Sequence, residues 1–112
     1  MAFRDLESAL AAGPRTAAEL MASLGVSQPT LSRLINASAR AFPMGKARAT
    51  RYGWRREVPG LGLSQPVWRV DIRGQLAAVG ELHFLRGGYW FADREAPERS
   101  SWHDGLPWFL AD

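Results

Sequence analysis

The chain has 112 residues, 46% apolar and 22% charged, an ordinary composition for one soluble domain or two small lobes. It contains no cysteine, which excludes disulfides and thiolate metal sites. The first residues lack the continuous apolar stretch of a signal peptide, and no apolar run nears the roughly 18–20 residues of a membrane span. A cytoplasmic location with no membrane partner is therefore expected.

Phe3, Leu6, Ala9 and Leu10 recur at helical spacing and predict a first helix, which Gly13-Pro14 stops. Thr16-Ala17-Ala18-Glu19 then reads as a capping box: the threonine hydroxyl accepts from the N3 amide while the glutamate reaches back to the cap amide. The second helix turns Leu20, Met21 and Leu24 inward and ends at Gly25, in the manner of a glycine just past a helix C-terminus. Val26 is a buried turn residue, Ser27 a good N-cap, and Pro29 falls in the first turn of a third helix, where a missing N–H costs little. Leu31, Leu34, Ile35 and Ser38 share one face of that helix. Pro29, Ser32, Arg33 and Asn36 share the opposite one, with Gln28 and Thr30 at the flanks. Two short helices joined by Leu-Gly-Val-Ser are the layout of a helix-turn-helix.

Residues 40–44, 45–49 and 50–54 read as strand, turn and strand, a hairpin whose tip carries Lys46 and Arg48. Pro43 places the first of these strands at a sheet edge or makes it irregular. A helix-turn-helix followed by such a basic hairpin is a winged helix. Val58–Pro66, with two prolines and two glycines, reads as a linker, placed at residues 57–65. Beyond it Trp68, Val70 and Ile72 alternate with Arg69 and Asp71 as a half-buried strand. Leu76–Leu85 is a second strand with Gly80 as a bulge or close-approach point, and Tyr89–Ala92 is a third. The stretch 93–104 reads as a polar loop, and Gly105–Leu110 is an apolar ending. The fold class is thus α+β: a winged helix-turn-helix over residues 1–56, a linker, and a small antiparallel β-meander over 66–112. Eight of the twelve aromatic residues lie after residue 66, more than three short strands need for a core of their own. This suggests that the second lobe packs on a further domain of a longer protein.

Charge divides along the same boundary. Residues 1–56 carry nine basic against three acidic side chains, +6, whereas the rest carry five against eight, −3. Six of the nine basic residues lie between Arg40 and Arg56 with no acid among them, the footprint of a polyanion partner. The third helix supplies what major-groove reading requires: Gln28 matches adenine N6/N7 and Arg33 matches guanine O6/N7, each bidentately. Ser27, Thr30 and Ser32 suit phosphate oxygens at a helix N-terminus. Lys46 and Arg48 suit the minor groove or the backbone, and Arg40, Arg51 and Arg55 add phosphate contacts. The plain alternatives are a solvated polar helix face and a charged tip that only blocks edge pairing. Some winged helices instead dock proteins or dimerise, so the fold alone does not decide.

Catalytic signals are weak. His83 lies in a strand pattern and His103 in a polar stretch, where a structural role is the simpler reading. Ser100, Ser101, His103 and Asp104 are neighbours only along the chain, and His103-Asp104 is too little for a metal. Arg86-Gly87-Gly88 reads as a strand turn rather than a phosphate loop, and Tyr89-Trp90-Phe91 as core and interface rather than a base-stacking platform. No catalytic, cofactor or metal residue is expected in this chain.

The run Gly25-Val26-Ser27-Gln28-Pro29-Thr30-Leu31-Ser32-Arg33 resembles the recognition element of many bacterial winged-helix regulators. It is followed by Gly45–Tyr52, Pro59-Gly60-Leu61-Gly62, Gly87–Phe91 and Gly105–Leu110. In that order the motifs resemble the N-terminal part of the YjjJ-like (HipH) branch of HipA-family serine/threonine kinase toxins, over essentially the whole chain. The resemblance implies that a kinase domain follows, that its ATP-binding and catalytic motifs lie outside this chain, and that the β-rich segment is a subdomain packing on the kinase core. It also implies that the winged helix supplies the DNA binding that related toxins take from a separate antitoxin. Double-stranded DNA is the expected partner, with a kinase domain of the same protein and a homodimer as further ones. The alternative is a docking or autoinhibitory module that contacts the kinase domain or a partner protein.

Overall fold

A computed structural model describes residues 2–105, with side chains from Asp5 onward. The apolar ending at Leu106–Leu110 and the Phe3 side chain lie outside the described residues. The fold is α+β and forms two compact units. One comprises residues 1–56 together with Leu85–Gly87; the other comprises 57–84 and the residues from Gly88.

In the first unit, α1 (Ala2–Ala9) is followed by β1 (Arg15–Thr16), α2 (Ala17–Leu24) and α3 (Gln28–Ala37). Helix α2 starts where the capping box predicts. Thr16 Oγ1 accepts from Glu19 N at 3.2 Å, and Glu19 Oε1 accepts from Thr16 N at 2.9 Å. Such a cap contributes about 1 kcal/mol. Gly25 ends α2 at φ 68°, ψ 38°, a left-handed conformation that a Cβ disfavours, and its N–H donates to Met21 O. Ser27 occupies the N-cap of α3 in extended conformation, but its hydroxyl donates to Thr30 Oγ1 at 3.2 Å instead of capping an amide.

Leu6, Leu10, Leu20, Leu31 and Trp54 form the core of this unit, with Met21, Leu24, Val26, Leu34, Ile35 and Tyr52 packed around them. The inward residues read from the helical periodicity thus meet in one cluster. The wing strands are β2 (Ala41–Met44) and β3 (Arg51–Trp54), antiparallel with Pro43 opposite Tyr52. The sheet order is β1-β3-β2, so Pro43 does sit on an edge strand. Strand β1 has no local signal in the sequence, where Thr16 reads only as the cap of α2. Its partners, Tyr52 and Arg51, lie far along the chain. Within the same unit Arg86 pairs with Glu7 and donates its N–H to Trp54 O, while Arg56 Nε donates to Leu85 O at 2.8 Å.

The second unit is a four-stranded sheet in the order β4 (Ser64–Val70), β5 (Leu76–Leu85), β6 (Gly88–Asp93), β7 (Ser101–His103). Three differences from the sequence reading stand out. Strand β7 lies inside the stretch read as a loop and pairs with Tyr89–Phe91. Strand β4 begins at Ser64, inside the stretch read as a linker, where Val58 N also donates to Gly62 O at 2.8 Å to close a tight turn. Trp68, Val70 and Ile72, read as the buried side of a strand, are 55%, 61% and 103% exposed, and Ile72 lies in the turn beyond β4.

Gly80 marks both features expected of it. The β4–β5 register shifts there, from Val67 opposite Gly80 to Trp68 opposite Ala78, leaving Val79 as the extra residue. A Cβ at Gly80 would stand 2.7 Å from Phe91 Cζ. Leu82, Phe84 and Phe91 form this unit's core with Val58, Val67, Val79 and Tyr89 against them, and Tyr89 meets Phe84 edge-on at 6.1 Å. No described helix is long and apolar enough to cross a membrane.

Candidate nucleic-acid interface

The chain from Leu20 to Arg56 contains seven basic residues and no acid. The fold of the first unit decides which of them are available. Leu31 faces the core at 2% exposure, and helical periodicity then turns Gln28, Ser32, Arg33 and Asn36 outward, all exposed. Thr30 is half-buried and binds two neighbours: besides Ser27, Arg33 Nη2 donates to its Oγ1 at 3.3 Å. Arg33 is thereby laid back along the first turn of α3.

Lys46 and Arg48 are exposed at the wing tip, held by a short 3-10 turn at Ala47–Ala49 whose first residue, Ala47, takes φ 51°. A non-glycine residue in this region carries local strain of order 1 kcal/mol.

Arg40 and Arg51 are placed differently. Arg40 Nη1 donates to Arg55 O at 3.3 Å and the Arg55 amide returns a bond to Arg40 O at 2.8 Å, which closes the base of the hairpin. The Arg55 guanidinium lies over the Phe42 ring at 5.0 Å. Arg51 is half-buried opposite Thr16 and Met44. The Glu19 carboxyl is held below its ordinary range by the Thr16 amide first and the Thr16 hydroxyl second, with smaller pulls from the positive charges of Arg15 and Arg51. Of the nine residues singled out by sequence, Ser27, Gln28, Ser32, Arg33, Lys46 and Arg48 are therefore exposed. Thr30, Arg40 and Arg51 are half-buried, with Thr30 and Arg40 also hydrogen-bonded within the unit.

One feature escaped the contact list drawn from sequence. A cleft of about 230 Å³ runs between α3 and the wing sheet, lined along the helix by Gln28, Ser32 and Asn36 and on the sheet by Pro43 and Tyr52. Positions 28, 32 and 36 are spaced i, i+4, i+8, so Asn36 continues the stripe that Gln28 begins. The signal was in the helical periodicity, which already put Asn36 on the outward face.

The sequence neighbours Ser100, Ser101, His103 and Asp104 do not converge. Ser101 Oγ and His103 Nε2 are 2.8 Å apart on one strand face, but Ser100 Oγ accepts from Asp93 N and Asp104 Oδ1 accepts from the Trp102 indole. Among the described residues no group of three or more His, Cys, Asp or Glu side chains gathers as a metal site would require.

Comparison with known proteins follows the same two units. Residues 8–36 match the helix-turn-helix of the bacterial regulatory proteins of the arsR family, and residues 61–112 match the middle domain of YjjJ-like toxins. The chain is 39% identical over 110 residues to Toxin YjjJ of Escherichia coli strain K12, an alignment that covers 96% of this chain and 24% of that protein. The chain thus spans about a quarter of the length of the curated relative it matches. No solved structure matches it. Residues 61–112 are thus similar to the middle domain of YjjJ-like toxins, and over both units the chain is similar to the N-terminal quarter or so of such a toxin in length, in keeping with its motif order.

Proposed function

We propose that the first unit binds double-stranded DNA sequence-specifically and serves transcriptional regulation, as the N-terminal module of a HipA-like toxin kinase acting in the cytoplasm. The observation that carries this reading is the exposed face of α3. It combines amide, hydroxyl and guanidinium groups, has no carboxylate, and adjoins a wing whose tip exposes two cations. Gln28, Arg33 and Asn36 read base edges in the major groove. Ser27, Ser32 and the first amides of α3 hold a phosphate, and Lys46 and Arg48 hold the flanking backbone. Thr30 aims Arg33. Arg40 and Arg51 reach phosphate only by exchanging contacts inside the unit for contacts with DNA, so their share is smaller. The match to a regulatory helix-turn-helix supports this assignment, and the similarity to a toxin supports the setting. The kinase itself belongs to the part of the longer protein that this chain does not span.

The test is fluorescence anisotropy of the chain with a duplex from its own upstream region and with a scrambled duplex, at about 50 and about 200 mM salt. With about six phosphates neutralised, affinity falls by roughly three decades between the two salt concentrations, and the upstream duplex is preferred. Absence of binding at the lower salt overturns the reading.

A further inference from the structure

The candidate interface of the first unit is not uniformly charged. Of the seven basic residues between Leu20 and Arg56, none lines the cleft between α3 and the wing sheet. Its rim carries uncharged hydrogen-bonding groups, the amides of Gln28 and Asn36 and the hydroxyl of Ser32, all three exposed. Its walls are largely apolar, with Ile35 from the helix and Pro43 and the Tyr52 ring from the sheet. Pro43 and Tyr52 stand opposite each other in β2 and β3 and so share one face of the wing. Ile35 and Tyr52 pack on the core and are half-buried, whereas Pro43 is exposed. The cleft is thus an uncharged, partly apolar slot within a basic surface.

Such a slot does not suit the phosphate backbone, whose contacts come from cations, hydroxyls and amides. It suits a base edge. Among the groups that a duplex displays in the major groove, the apolar one is the 5-methyl of thymine. Gln28 and Asn36 each match adenine N6 and N7, and every adenine brings a thymine methyl into the same groove from the opposite strand. The two amides stand about 12 Å apart along the helix axis, roughly the length of three to four stacked base pairs. The side chains that match adenine therefore border a slot that matches its partner. The size agrees: about 230 Å³ is small for a free ligand, but it has room for a methyl group and the ring edge that carries it.

We propose that this cleft takes the 5-methyl group of a thymine, so that the chain selects its preferred duplex by an apolar contact as well as by hydrogen bonds. The inference rests on the reading of the first unit as a DNA-binding module, and it names A·T as the base pair favoured at the cleft. Ile35, Pro43 and Tyr52 enclose the methyl, while Gln28 or Asn36 holds an adenine beside it.

Single thymine-to-uracil exchanges along the preferred duplex test it, read by fluorescence anisotropy of the whole chain. Uracil keeps the pairing, the O4 acceptor and the phosphates, and removes only the methyl. At one or two positions affinity falls about fourfold, the effect of one buried methyl. The loss is the same at about 50 and about 200 mM salt, because no ion is released with it. In Pro43→Ala, checked for the circular dichroism of the parent, the thymine and uracil duplexes bind within about twofold of each other, since the variant and the exchange remove two sides of one contact. Discrimination that survives undiminished in Pro43→Ala puts the methyl elsewhere and overturns the proposal. So does a chain that prefers the upstream duplex yet binds every uracil version of it equally well, which leaves the DNA reading intact. Absence of binding to any duplex at the lower salt overturns the DNA reading itself, and this inference with it.

Discussion

The two units handle apolar surface and charge in opposite ways. Residues 1–56 carry an excess of six positive charges, and no large hydrophobic side chain among the described residues there is exposed. The remainder carries an excess of three negative charges and leaves Leu61, Trp68, Val70, Ile72 and Leu76 in solvent. A surface that hides its apolar groups and displays cations suits a hydrated polyanion, whose binding is driven by counterion release. A surface that displays aliphatic groups and tryptophan beside a free strand edge suits another polypeptide. The two units thus present surfaces of different chemistry, the first suited to a polyanion and the second to a polypeptide.

Substitutions that act on one unit alone break or sharpen this contrast. The largest effect is expected from Leu31→Ala. Leu31 joins α3 to the core, and its loss costs about 3 kcal/mol in chemical unfolding, from lost burial plus the cavity left behind. DNA affinity falls with it, because the outward face of α3 is only as ordered as its inward one. Next come Gln28→Ala and Arg33→Ala, which leave the melting temperature unchanged and weaken binding to the preferred duplex by about 1–3 kcal/mol each. Arg69→Ala in the second unit removes the same charge as Arg33→Ala and is expected to leave DNA affinity within about twofold, apart from salt screening. Equal losses from Arg33→Ala and Arg69→Ala would show that net charge, and not the α3 face, governs binding. Smaller still are Lys46→Ala and Arg48→Ala. Each weakens all duplexes alike and lowers the slope of log affinity against log salt by about one.

The contrast also explains which parts were legible in the sequence. In the first unit the signals are local: Thr16 and Glu19 lie three residues apart, Gly25 needs its own φ, and the periodicity of α3 separates Leu31 from Arg33 without reference to the rest of the chain. What sequence missed there, β1 and the engagement of Arg40, depends on partners brought from a distance, Tyr52 and the Arg55 carbonyl. In the second unit most signals are non-local. Alternation identified Trp68 and Val70 as one side of a strand, but it does not say whether anything covers that side. The bulge at Val79 then separates the covered part of the sheet from the uncovered part. Ser101–His103 is too short to show a period, and only its pairing with Tyr89–Phe91 makes it a strand. Gly80 was legible because a glycine inside a strand pattern needs a steric reason, and the Phe91 ring supplies it.

The smallest effect separates the units by pH. The Glu19 carboxyl is held below its ordinary value of 4.5, chiefly by the Thr16 amide and then by the Thr16 hydroxyl, with Arg15 and Arg51 adding less and partial desolvation opposing. Its folded-state value is lowered, so the ionised form favours the folded chain. The stabilisation is fully present above 4.5 and is lost as the pH falls through the lower folded value. Melting temperatures of the parent and of Glu19→Gln, followed from neutral pH downward, should therefore differ by a constant amount above 4.5 and converge below it. A gap that persists to low pH would mean that the cap works by geometry alone. Arg51→Ala removes one of the charges that keep Glu19 ionised, so it narrows the gap and moves the completion of convergence to higher pH. DNA that draws Arg51 onto a phosphate would move it the same way, linking the proton affinity of the capping box to occupancy of the wing.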